Sequence, residues 1–140
     1  MNTYTFAQIS VGMQASFIKK ITEEDMQRFL AITEDTNPLH TQKEFAQKQK
    51  FPEKVVYGML TASLLSTLAG VHLPGLNSLI LSVSIQFQKP VFVEETVTIE
   101  GTVTDKKEFG NIITISFVIK KENQNQEKVS TGTMLIRVLA

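Results

Sequence analysis

Four runs in the second half of the chain alternate apolar and polar residues with period two, and few folds can accommodate them. In Leu81-Ser82-Val83-Ser84-Ile85-Gln86-Phe87-Gln88 the alternation has no fault. Val97, Ile99, Gly101 and Val103 continue it against Thr96, Thr98, Glu100 and Thr102. Ile113, Ile115, Phe117 and Ile119 repeat it, as do Met134, Ile136 and Val138 between Thr133 and Leu139. Successive side chains of a strand point to opposite faces, so each run predicts a strand with one apolar face. Turn chemistry separates the runs, including Phe109-Gly110-Asn111 and Asn123-Gln124-Asn125-Gln126. Consecutive strands with short connections favour antiparallel pairing.

A sheet that is apolar on one side needs a cover on that side. The stretch from Val56 to Gly70 offers one. Its Met59, Leu60, Ala62, Leu64, Leu65, Leu68 and Ala69 leave no broad polar face, which is the pattern of a buried helix. Gly70 and Leu73-Pro74-Gly75 end it. Earlier in the chain, a strand is expected near Gln14 to Lys20. A helix is expected after the capping hydroxyl and acidic first turn of Thr22-Glu23-Glu24-Asp25. It fades near Asp35, because Asn37-Pro38 disfavours continuation, and a short helix is expected from about Thr41 to Gln49. The fold class read from this order is α+β, a long curved antiparallel sheet wrapped around a central buried helix.

Residues 1–140 suit one domain. Formal net charge is zero, with Lys and Arg scattered among acids, so a nucleic-acid-binding face is not expected. The absence of Cys removes disulfides, a zinc–thiolate site and a cysteine nucleophile together. The N-terminus lacks the basic and apolar regions of a signal peptide. The most apolar region, Val55 to Leu73, is interrupted by Tyr57, Gly58, Thr61, Ser63, Ser66, Thr67, Gly70 and His72, too polar a set for a membrane span. A cytoplasmic protein without a membrane partner is the expectation.

Chemistry concentrates in Glu34-Asp35-Thr36-Asn37-Pro38-Leu39-His40. A carboxylate and an imidazole lie five residues apart across a turn that Asn37 can bond and Pro38 stiffens. Such a pair could hold a water molecule, one group taking a proton and the other giving one. The spacing alone fits equally a capping Asp35 and a solvated His40.

The segment Asp35-x-Asn37-Pro38-Leu39-His40 followed by Phe45-Ala46 resembles the signature of the MaoC-like, or type 2, enoyl-CoA hydratases. The likeness continues through Tyr57-Gly58-Met59-Leu60-Thr61-Ala62-Ser63, Leu73-Pro74-Gly75 and Phe87-Gln88-Lys89-Pro90-Val91-Phe92, in the family's order. It covers roughly residues 8 to 138 and is strongest toward short bacterial (R)-specific enoyl-CoA hydratases. The resemblance implies a hot-dog fold and reversible addition of water to a trans-2-enoyl-CoA, giving (R)-3-hydroxyacyl-CoA. It implies Asp35 and His40 as the catalytic pair, Gly58 as the backbone N–H donor to the thioester oxygen, and Ser66 as a serine beside the site. Asn37 would support the turn. Many members carry His where this chain has Tyr57, which puts the role of that position in question.

Bland readings exist for each residue. Gly58 could simply begin a helix, Ser66 could bond the carbonyl one turn back, His72 reads as a surface loop residue, and Lys89 as solvated. The resemblance implies an acyl-CoA substrate, with acyl carrier protein as an alternative donor of the thioester, and no metal or cofactor. An uncovered sheet edge and the habit of hot-dog proteins together imply a homodimer. The rival readings are a 3-hydroxyacyl-[acyl-carrier-protein] dehydratase, an acyl-CoA thioesterase and a non-catalytic acyl-thioester-binding domain.

Overall fold

A computed structural model describes residues 1–140. The strands are β1 (Gln14–Lys20), β2 (Ser78–Phe87), β3 (Thr96–Lys107), β4 (Ile112–Lys121) and β5 (Lys128–Val138). They form one five-stranded antiparallel sheet in the order β1-β3-β4-β5-β2. Short connections pair β3, β4 and β5 in series. β2 instead lies beyond β5, at an edge. The link from β2 to β3 runs beside residues 54–56: Val56 N donates to Val91 O at 2.8 Å, and Val93 N to Lys54 O at 3.2 Å. With β5 and β4 lying between β2 and β3, the link is a crossover rather than a hairpin.

The helices are α1 (Glu23–Thr33), α2 (Pro38–Thr41), α3 (Lys43–Lys48) and α4 (Gly58–Thr67). Thr22 caps α1 as expected: its hydroxyl accepts from Asp25 N at 3.2 Å, and the Asp25 carboxylate accepts from Thr22 N at 3.0 Å. The left-handed Glu34, φ 56°, closes α1. The single short helix expected over 41–49 is instead two, because Asn37 starts a turn early and Gln42 is extended between them. α4 begins at Gly58, two residues later than expected, because Val55 bridges Phe92 and Val56 N is engaged with Val91 O. It passes into a wider turn at Leu68–His72.

α4 lies on the apolar face of the sheet, with Thr61 and Leu65 buried on it and Leu68 and Ala69 buried just beyond it. Ile99, Ile115, Phe117 and Met134 are buried opposite. Strand register aligns Ala15, Gly101, Phe117, Gly132 and Ile85 in one row across the sheet. A Cβ on Gly101 would meet Leu68 Cδ2 at 2.8 Å, and one on Gly132 would meet Ser84 O at 1.9 Å and Phe117 Cζ at 2.8 Å. Gly101 therefore leaves the space that Leu68 fills, which permits the close approach of helix to sheet, and Gly132 leaves the space that Phe117 fills.

The expected central helix is buried on one face only. Met59 is 64% exposed, and Ser63 and Ser66 are exposed too. Five strands of one chain cover only one side of a helix, so its remaining apolar residues stay open. Leu79, Leu81, Val83 and Phe87 of β2 are likewise 44–50% exposed. The successive apolar residues Leu79-Ile80-Leu81 are accommodated by a bulge: register shifts between Ile80 and Ser82, which keeps Ile80 opposite Ile136 and Val83 opposite Met134. His72 is not the free loop residue expected, since its half-buried ring stacks on Phe17 with centroids 4.9 Å apart. No helix is long and apolar enough to cross a membrane.

Candidate active site

The chain leaves α1 at Glu34 and enters α2 at Pro38, so Asp35 sits on the connecting turn and His40 within α2. Asn37 secures both ends of this arrangement. Its N–H donates to Asp35 Oδ1 at 3.1 Å, and its own side-chain oxygen caps α2 by accepting from Leu39 N at 3.0 Å. Pro38 stands at the first helical position, where a missing N–H costs nothing.

His40 is held from the other side by Val55. The two segments exchange a backbone bond, Val55 N to Leu39 O at 3.2 Å, and His40 Nδ1 lies 2.6 Å from Val55 O. A carbonyl oxygen only accepts, so Nδ1 carries the proton and donates it. In neutral His40 that leaves Nε2 bare, able to accept a proton.

Tyr57 is buried behind the pair. Its ring stacks on His40 with centroids 4.2 Å apart and packs against Phe29 at 4.8 Å on α1. Its hydroxyl donates to the backbone carbonyl of Asp35 at 2.8 Å. Burial pushes this phenol above its ordinary range, and the charges of Asp35 and Glu23 add to the effect, so it stays a donor at neutral pH.

Gly58 opens α4, and Tyr57 supplies no side-chain cap. The Gly58 N–H donates to nothing in the chain, and it carries the positive end of the helix dipole. A Cβ here would press on Phe87 Cε1 at 3.1 Å.

Asp35, His40, Tyr57 and Gly58 line one cleft of about 540 Å³, with Phe29 and Phe87 among its walls. A second cleft of about 250 Å³ shares His40, Gly58 and Phe87 and continues past Thr61, Lys89 and Ser130. The two meet at the imidazole and the free N–H. Such a junction can orient a water molecule beside a carboxylate and a basic nitrogen while a donor faces a developing oxyanion.

The structure thus brings together Asp35, His40, Tyr57 and Gly58, with Asn37 tying the turn. Ser66 lies two turns further along α4 on its exposed face and lines neither cleft. Lys89 reaches the second cleft and stays solvated as expected, its side chain 54% exposed while it pairs with Glu127 at 2.6 Å. That hydrogen bond holds the Glu127 carboxyl below its ordinary range. Sequence reasoning missed the Val55 carbonyl, which has no side-chain signature. It also read Phe87 only as part of a strand and a matching motif; its end position on β2, just before the Gln88-Lys89-Pro90 turn, was the available signal.

Known proteins share this architecture. The MaoC like domain family model matches residues 7–126. The (R)-specific enoyl-CoA hydratase of Aeromonas caviae is 41% identical over 108 residues, covering 77% of this chain and 81% of the relative. That of Rhodospirillum rubrum is 37% identical over 99 residues, covering 71% and 69%. The solved structure of the A. caviae (R)-hydratase superposes with a TM-score of 0.87 at 37% identity, over 93% of this chain and 97% of that one. A hot-dog sheet around α4, with these matches along most of its length, makes this chain a member of the MaoC-like family.

Proposed function

We propose that this chain is a single-domain (R)-specific enoyl-CoA hydratase that works in the cytoplasm. The observation that carries the reading is the junction where the bare Nε2 side of His40, the Asp35 carboxylate and the unpaired Gly58 N–H share one cleft. The names of the A. caviae and R. rubrum relatives support it.

In an enoyl thioester the carbonyl draws electron density from the β-carbon. Water bound between Asp35 and His40 attacks that carbon. Asp35 accepts one water O–H as a hydrogen bond and orients it. His40 Nε2 takes the other proton as the new C–O bond forms, and the electron pair of the double bond moves onto the thioester oxygen. The Gly58 N–H stabilises that oxyanion, a contribution typically worth about 3–4 kcal/mol. The imidazolium then returns a proton to the α-carbon, and the thioester carbonyl re-forms. Every proton is accounted for without a cofactor. The sequence left the acid and base roles open; the Val55 carbonyl supports giving both to His40.

The same scaffold supports a homodimer, since β2 is an open apolar edge. Acyl-CoA is the proposed substrate, with an acyl-carrier-protein thioester as the alternative.

Loss of enoyl absorbance with C4 to C12 enoyl-CoA substrates tests the reading. Asp35→Asn and His40→Ala should each lower kcat by about 10²–10⁴-fold, the usual worth of positioned acid–base groups. Retained activity in both variants would falsify the mechanism. Chiral analysis of the product tests the (R) assignment. Thiol release without hydration would favour a thioesterase, and a strong preference for carrier-protein thioesters would favour the dehydratase.

A further inference from the structure

Tyr57 is the buried phenol that touches both proposed catalytic groups. Its backbone is fixed where Val56 N bonds to Val91 O and α4 begins. From that anchor the ring is clamped between Phe29 of α1 and His40 of α2. Its hydroxyl reaches on to the carbonyl of Asp35, in the turn between those helices. Three elements that carry the site therefore converge on one side chain. Neither Asp35 nor Asn37 makes any other bond that ties the turn to α4: Asp35 N donates to Thr33 Oγ1 at 3.3 Å, and Asn37 bonds only within residues 35–41.

We infer that Tyr57 is a positioning residue of this site, setting the separation of Asp35 and His40 through its hydroxyl bond to the Asp35 carbonyl and its ring stack on the imidazole. The inference deepens the hydratase reading and rests on it for its effect on turnover. Tyr57 does not exchange a proton with substrate. It works because a reacting group misplaced by about 1 Å can cost 10²-fold in rate. A phenol whose ionisation burial opposes keeps its donor proton across the neutral range, so its bond to the Asp35 carbonyl persists there.

Two variants separate the hydroxyl from the ring. Tyr57→Phe deletes the bond to Asp35 and keeps both ring contacts. It should lower kcat for crotonyl-CoA about 10- to 100-fold, with KM unchanged. Tyr57→Leu should lower it further. The chain has only two histidines, so their ring protons can be followed by NMR. The Tyr57 ring current displaces the His40 signals; Tyr57→Leu should move them and Tyr57→Phe leave them in place. His72, stacked on Phe17, is the internal control. Wild-type kcat in Tyr57→Phe would overturn the inference. So would a fall in kcat accompanied by displaced His40 and His72 signals, the mark of general loosening. If the wild-type protein hydrates no enoyl thioester, the hydratase reading fails by itself. The tie is then judged on the Thr36 amide nitrogen, bonded to the Asp35 carbonyl carbon: a shift in Tyr57→Phe upholds it, and an unmoved signal overturns it.

Discussion

Val55 acts on the candidate site through its backbone, since its carbonyl decides which nitrogen of His40 is free. Gly58 acts through what it lacks. A methyl group there would stand 3.1 Å from Phe87 Cε1, the outer end of a ring that is 50% exposed and able to yield. Alanine is the better helix former by about 1 kcal/mol. Gly58→Ala should therefore keep or raise the urea midpoint. By driving Phe87 into the junction of the two clefts, it should lower kcat/KM about tenfold or more, the scale of one misplaced carbon in a fitted pocket. Parallel loss of stability and activity would argue that the glycine is merely structural. At this scale the ordered motifs pointed to Asp35, His40 and Gly58, which line one cleft. The sequence could not disclose the Val55 carbonyl or the partners of Tyr57, since those contacts join residues 15 and 22 positions apart.

The elements divide in the same way. Period-two alternation located β3 and β4 well, because their partners bury every second residue. It truncated β5, whose first half contains Ser130 and Gly132 and so lacks the apolar beat. It could not place β2 at the far edge or delay the start of α4, because the crossover beside residues 54–56 settles both. The glycines in β3 and β5 give a graded test of helix-on-sheet packing. Gly132→Ala would force Ser84 backbone to move and should cost about 1–3 kcal/mol or more. Gly101→Ala meets side-chain rather than backbone atoms, Leu68 Cδ2 at 2.8 Å and Ile115 Cγ2 at 2.9 Å, and should cost less. Urea unfolding ranks the two; equal costs would contradict the packing argument. The capping box of α1 adds a pH signature. Burial pushes the Asp25 carboxyl up, but Lys19 at 2.8 Å and the Thr22 N–H and hydroxyl outweigh burial and hold it below its ordinary range. A depressed folded value stabilises above the unfolded pKa and is lost as pH falls through the folded one. Asp25→Asn should thus destabilise at neutral pH, with the gap to wild type closing below about pH 4. A gap independent of pH would mean that the carboxylate charge is irrelevant to the cap.

At the scale of the whole molecule, one chain leaves its architecture half covered. β2 offers unpaired backbone along an outer edge and apolar side chains on both faces, while Met59 opens from α4 on the same cleft that holds Asp35 and His40. A long apolar edge strand in water invites pairing with another strand. With formal charge balanced at zero, net repulsion does little to oppose a second copy. Antiparallel pairing of β2 with its counterpart would continue the sheet and place Phe87 and Met59 near the subunit boundary. The proposed homodimer therefore has a consequence for catalysis. Val83 is 44% exposed on β2 and lines neither cleft around His40. Val83→Lys should convert a dimer into a monomer in sedimentation velocity and lower hydratase activity with it, since clefts walled by residues this exposed lose their closure to water. A monomeric wild-type protein at working concentration would sink the dimer. A monomeric Val83→Lys with full activity would show instead that each chain completes its own site.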